Sequence, residues 1–253
     1  MAYKLPLEIL NEESVRNIIK CINYGELQYK EHVKEEGFIT QNGKYHEIWN
    51  YIFKNVNNSF KDYPYKCYKI NRGNLWEFVA VYNEEEHILY VIMKEDRFKN
   101  IENADEEYHY IRILNYLNNH MQTKKIDQIS FLQDDKDKED YIKDDLQRML
   151  GDISGEVKAC VDILFSERDN KVTKIYGNIC DYNFRLIKSY CWNQYIQADI
   201  NEIIDTDEEY IVENPPIELI IRDNIKSKSN QEKENIQEDM LADENKQKKK
   251  VQK

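Results

Sequence analysis

The residues best equipped for chemistry fall close together in the chain. Lys94, Arg97 and Lys99 stand in KEDRFK, and His109 follows between Tyr108 and Tyr110. A histidine with tyrosine and arginine nearby can serve as general base and phosphate anchor in an RNA-cleaving site. Lys94, Arg97 and Lys99, following an apolar run, could present a phosphate or an acidic partner with cations at a sheet edge. Arginine adds the planar fork that matches an oxyanion. The plainer alternative makes this stretch the polar exit of a strand, with Arg97 paired to a carboxylate. It also puts His109 on the solvent side of its helix, because Tyr108 and Ile111 mark the buried side. The sequence favours the plainer alternative. His109 is thus the sole catalytic candidate, and Lys94, Arg97, Lys99, Tyr110 and Trp192 are the candidate binding residues.

Other chemistry lacks its residues. With seven glycines in all, the chain has neither G-x-x-x-x-G-K nor G-x-G-x-x-G, so no phosphate loop is expected. G-x-S-x-G is missing as well. The histidines are His32, His46, His87, His109 and His120; none forms H-E-x-x-H, and His46-Glu47 has no second histidine at helical spacing. Asp135, Asp137 and Glu139 start an EF-hand template, but Asp140 stands where glycine is needed and Leu146 where glutamate is needed. Acid-x-Lys triplets of the kind used by metal-dependent nucleases occur at Asp134–Lys136, Glu156–Lys158 and Asp169–Lys171, and only Glu156 opens an expected strand. Cys21, Cys67, Cys160, Cys180 and Cys191 are odd in number and widely spaced, which suits reduced thiols and no zinc site. No metal and no cofactor is expected.

The elements that would carry these residues follow from periodicity. Val15, Ile18, Ile19 and Ile22 form a helical stripe after Asn11, an N-cap by type, with Gly25 as the expected stop. Ile48, Trp49, Ile52, Phe53 and Val56 form a second stripe after the turn Asn42-Gly43. Pro64 and its tyrosines read as a connecting segment. LWEFVAVY (Leu75 to Tyr82) and ILYVIM (Ile88 to Met93), joined by a polar turn, read as a hairpin covered on both faces. Asn103 as N-cap, with Glu106 three residues on, starts a helix through Leu117. Ile126 to Leu132 reads as a short strand, and Asp137 to Leu150 as a helix stopped by Gly151. Val157 to Phe165 alternates like a strand with one buried face, and Val172 to Ile179 and Leu186 to Ile196 are two more strands. Trp49, Trp76 and Trp192 read as core or interface bulk, since no RNA-binding aromatic pattern surrounds them.

Charge and length set the wider limits. The 253 residues carry 36 Lys and Arg against 48 Asp and Glu, a net charge of −12. Lysines and acids nearly balance beyond Asp223, so the body holds essentially all of that charge. An acidic body argues against a broad nucleic-acid surface, which needs clustered Lys and Arg. It leaves room for an acidic mimic of nucleic acid, built from the acids around 134–145 and 199–213. No apolar run reaches the roughly 18–20 residues of a membrane span, and the first residues lack a signal peptide's apolar centre. A cytoplasmic protein without membrane contact is expected.

The segments NGKYHEIWNYI (Asn42 to Ile52), LYVIMKEDRF (Leu89 to Phe98), EEYHYIRILNYLNN (Glu106 to Asn119) and CWNQYI (Cys191 to Ile196) resemble, in that order, a group of proteins from low-GC Gram-positive bacteria and their mobile elements. The resemblance implies a cytosolic accessory protein linked to defence, counter-defence or toxin control, and it implies no catalytic residue.

The fold expected is α+β: N-terminal helices followed by an antiparallel or mixed sheet of about five or six strands with two packed helices, and a disordered C-terminal tail. Residues 1–63 would be a helical subdomain, 64–222 the α+β domain and 223–253 the charged tail. For function, the sequence favours a non-enzymatic regulatory or interaction protein working through a protein partner, its 19 tyrosines and three tryptophans supplying anchors. The alternatives are an RNase-like or nuclease-like enzyme acting on nucleic acid, and the acidic mimic.

Overall fold

The computed structural model describes residues 5–72, 76–104, 108–121 and 134–196. The strand expected over 126–132 and the charged tail lie outside the described residues.

The first helix, α1 (Glu12–Glu36), starts where its cap residue predicts: the Asn11 side chain accepts the Ser14 N–H at 2.8 Å. It does not stop at Gly25. It runs to Gly37, whose left-handed backbone (φ 66°) closes the helix onto the Val33 carbonyl. Gly25 serves packing instead. A Cβ there would overlap Ile52 Cγ1 and press on the Ile48 carbonyl at 3.3 Å, so glycine lets α1 approach α2 (Lys44–Ser59) closely.

The sheet has six strands in sequence order: β1 (Tyr65–Asn71), β2 (Glu77–Asn83), β3 (Ile88–Lys94), β4 (Ala159–Arg168), β5 (Lys171–Cys180) and β6 (Leu186–Cys191). All neighbours are antiparallel except β3 and β4, which run parallel, so the sheet is mixed as expected. The β2–β3 turn is pinned by Asn83, whose side chain accepts the Glu85 and Glu86 N–H groups. β1 replaces the expected connecting segment. It is an edge strand with only Ile70 fully buried, and so lacks the apolar alternation that marks a strand in sequence.

The parallel β3–β4 crossover carries α3 (Glu95–Ala104), α4 (Tyr110–Asn115) with a 3₁₀ turn over Tyr116–Met121, and α5 (Asp134–Leu150). Two expectations fail here. KEDRFK leaves β3 at Lys94 and continues as the first turns of α3, where Arg97 pairs with no carboxylate among the described residues. Asn103 lies inside α3, and the N-cap of the next described helix is His109.

Helices cover both faces of the sheet. On one face Ile18, Ile19, Ile22 and Val56 of α1 and α2 meet Tyr90, Val161, Ile163 and Phe165. On the other, Ile111, Leu114, Ile142 and Leu146 meet Leu89, Val91, Cys160 and Leu164. β4 is therefore buried on both sides over Ala159–Phe165, where one buried face was expected. The covering helices, remote in sequence, bury the second face and with it Asp162.

Candidate functional site

At the C-terminal end of β3 the layers part to leave a cleft of about 450 Å³. Five segments meet there. β3 ends on Lys94, the first turn of α3 carries Arg97, and α4 opens with His109 and Tyr110. The edge pair β1–β2 and its connection contribute Arg72, Trp76 and Phe78, and α2 contributes Tyr45, His46, Trp49 and Phe53.

The walls are aromatic, their rings meeting edge to face at Trp76 and tilted at Phe53 and Tyr110. Trp49 lies 5.1 Å from Phe53 and 6.4 Å from Trp76 between ring centroids, His46 sits 5.6 Å from Trp76, and Phe78 packs 4.8 Å from Tyr110. Trp49 touches both cores, which fixes one wall on the body of the sheet. Tyr45 and His46 remain exposed at the mouth.

Three cations line the cleft, each in a different state. Arg72 is fixed: it pairs with Asp145 at 3.2 Å and stacks over the Tyr110 ring at 5.3 Å. Lys94 pairs with Glu167 on β4. Arg97 is exposed and has no ion pair or hydrogen bond with any described residue. No carboxylate is found among the described lining residues, which stands out in so acidic a chain.

His109 is half-buried at the inner wall. Its Nδ1 accepts the Ile111 N–H at 3.3 Å, capping α4. Burial, and then the positive charges of Arg97, Arg72 and Arg112, push its pKa down to about 4. At neutral pH the ring is uncharged, and with Nδ1 accepting, the proton sits on Nε2. Such a histidine offers a hydrogen-bond donor and lacks the open lone pair a general base needs. Burial also holds the Tyr110 phenol above its usual range, so it stays protonated.

The structure thus brings Lys94, Arg97, His109 and Tyr110 of the sequence candidates into one cleft. It leaves two outside. Lys99 points away on α3 and pairs with Glu95 one turn back. Trp192 is buried against Gly177, where an added Cβ would come within 2.9 Å of Trp192 Cζ2, so it props the sheet from the core. Sequence reasoning did not assign Arg72, Tyr45, His46, Trp49 and Trp76 to the site. The two tryptophans share apolar stripes with true core residues, and nothing local tells a wall from a core.

Fold and site together define an α+β protein with a six-stranded mixed sheet and an aromatic, cation-lined cleft at a strand end. No curated protein and no solved structure matches the chain. Over residues 7–242 it matches the family of unknown function DUF5986, and it belongs to that family.

Proposed function

We propose that the protein is a non-enzymatic regulatory protein whose cleft captures a small, ring-bearing organic anion and whose output is contact with a protein partner. The observation that carries this reading is the meeting of Arg72, Lys94 and Arg97 with aromatic walls, and no carboxylate among the described lining residues. A cavity of about 450 Å³ lies within the roughly 300–1,000 Å³ of small-molecule sites. The net charge of −12 favours a small anion over a polyanion, because a long nucleic acid draws its affinity from many clustered Lys and Arg. The setting in this reading is the cytosol of a low-GC Gram-positive bacterium or its mobile element. Support for that setting comes from the bias toward Lys, Asn, Ile and Tyr of an AT-rich genome.

An RNA-cleaving enzyme is the second reading, favoured by the approach of His109, Lys94 and Arg97 in one cleft. It is the weaker one, since the Nδ1 of His109 is taken by the Ile111 N–H. Thermal denaturation of the full chain with a panel of small anions tests the first reading. A ligand at about 100 times its Kd adds roughly 2.7 kcal/mol to the folded state. Ring-bearing carboxylates or phosphates should raise Tm in the native protein and not in Arg97→Ala. A panel that leaves Tm unmoved contradicts the reading, and release of acid-soluble fragments from RNA would replace it with the enzyme.

A further inference from the structure

We propose that the anion taken by this cleft is a nucleoside monophosphate, its base against the Trp49–Trp76 wall and its phosphate on Arg97, Lys94 and the Nε2–H of His109. The inference rests on the small-anion reading above and narrows it to one chemical class.

Three features select that class. The first is the division of the cleft into an aromatic part and a cationic part. Trp49, Trp76 and His46 supply ring surface, set edge to face, from α2 and the residue before β2, while Lys94, Arg97 and His109 come from the end of β3, the first turn of α3 and the cap of α4. A base stacked on an aromatic ring contributes about 1–3 kcal/mol and needs no glycine-rich loop. Trp49 is the part of this wall best suited to the role. It is half-buried, packed against Phe53 and Phe165 and edge to face with Trp76, and its indole N–H has no partner among the described residues. The N–H is a donor for a base edge or a sugar oxygen.

The second feature is charge. Lys94 is already balanced by Glu167, Arg72 shares Asp145 with Arg148, and His109 is neutral, so Arg97 is the one lining cation without an ion pair among the described residues. Its guanidinium can meet a phosphate bidentately. Lys94 can swing from Glu167, a partly exposed pair of little net value. That provision suits the charge of a single phosphate. A triphosphate travels with a divalent ion, and no carboxylate among the described lining residues would hold that ion.

The third feature is size. At about 450 Å³ the cleft leaves inorganic phosphate or a phenyl phosphate surrounded by empty volume, while a base, a sugar and a phosphate together span both of its parts.

The experiment titrates the full chain with AMP, GMP, CMP, UMP, ATP with Mg²⁺, adenosine, ribose 5-phosphate and indole-3-acetate, following tryptophan fluorescence and heat. Two of the three tryptophans line the cleft, so occupancy is read directly. At least one monophosphate should saturate the signal. Adenosine and ribose 5-phosphate should bind at least about tenfold more weakly, each lacking half of the contacts. Arg97→Ala should weaken the monophosphate by about tenfold or more while circular dichroism stays unchanged, since Arg97 is exposed. If indole-3-acetate binds and no monophosphate does, the nucleotide class is overturned and the small-anion reading survives. If no compound changes either signal, both fall. Magnesium ATP binding more tightly than every monophosphate, or monophosphate affinity unchanged in Arg97→Ala, also overturns the proposal.

Discussion

Asp162 shows how a single residue in this fold sets a pH dependence. It is fully buried on β4, and burial raises its carboxyl to about 7, opposed by the hydrogen bond from Asn115. Asn115 Nδ2–H donates to one carboxylate oxygen at 2.9 Å, while the other, and the Asn115 carbonyl, find no partner among the described residues. A proton on Asp162 supplies the donor that this amide–carboxyl pair lacks. Its titratable neighbours are Tyr110 and the Cys160 and Cys180 thiols, all neutral at physiological pH. The folded pKa lies above the unfolded 3.8, so the associated stability is fully present below pH 3.8 and is lost as pH rises through about 7. The loss approaches about 1.4 kcal/mol per pH unit between those limits and levels off above them. Urea denaturation of the native protein and Asp162→Asn from pH 5 to 8 checks this. The difference in stability between them should shift in favour of Asp162→Asn as pH rises, and a constant difference would contradict the assignment. At the cleft, His109→Gln keeps a neutral hydrogen-bond donor near the Nε2 position and should retain most ligand affinity. His109→Ala should lose about tenfold, the worth of one hydrogen bond to a charged group; equal effects of the two variants in calorimetry would refute the donor role.

At the scale of elements, the close crossing of α1 and α2 depends on Gly25. Gly25→Ala adds a methyl that overlaps Ile52 and presses on the α2 backbone. Helix propensity would favour alanine by about 1 kcal/mol. Overpacking costs roughly 1–3 kcal/mol and here meets backbone as well as side chain, so the net should be destabilising in chemical denaturation. A stabilised Gly25→Ala would mean the helices are not in contact. The same glycine shows what the sequence could and could not convey. Capping chemistry at Asn11 and the stripe of Val15, Ile18, Ile19 and Ile22 are local and legible in the sequence. A mid-helix glycine has the same local signature whether it ends a helix or admits a neighbour, and the neighbour lies some 25 residues on. β1 escaped for a related reason: an edge strand buries little, so Tyr65 to Asn71 shows no period. The start of α4 escaped because histidine is an uncommon cap, whereas Asn103 and Glu106 imitate a common one.

For the molecule as a whole, the functional part is where chain segments far apart in sequence converge. Lys94, Arg97, His109 and Tyr110 could be singled out because they follow one buried strand within a short span. Arg72, Trp49 and Trp76 could not, because only the packing of α2 across the β1–β2 edge brings them to the same place. Both faces of the sheet are covered, and α1 and α2 share a core with the central strands. Fluorescence and far-ultraviolet circular dichroism should therefore report one coincident thermal transition, and two separated transitions would show that the helices unfold on their own. The proposed function turns on whether the cleft is a ligand site. The most direct measurement is an ¹H–¹⁵N spectrum of the indole N–H groups, one for each of the three tryptophans. Adding a nucleoside monophosphate should move the signals of Trp49 and Trp76 together, saturably, and leave that of Trp192 in place. Three unmoved signals, or a shift confined to Trp192, would contradict the account.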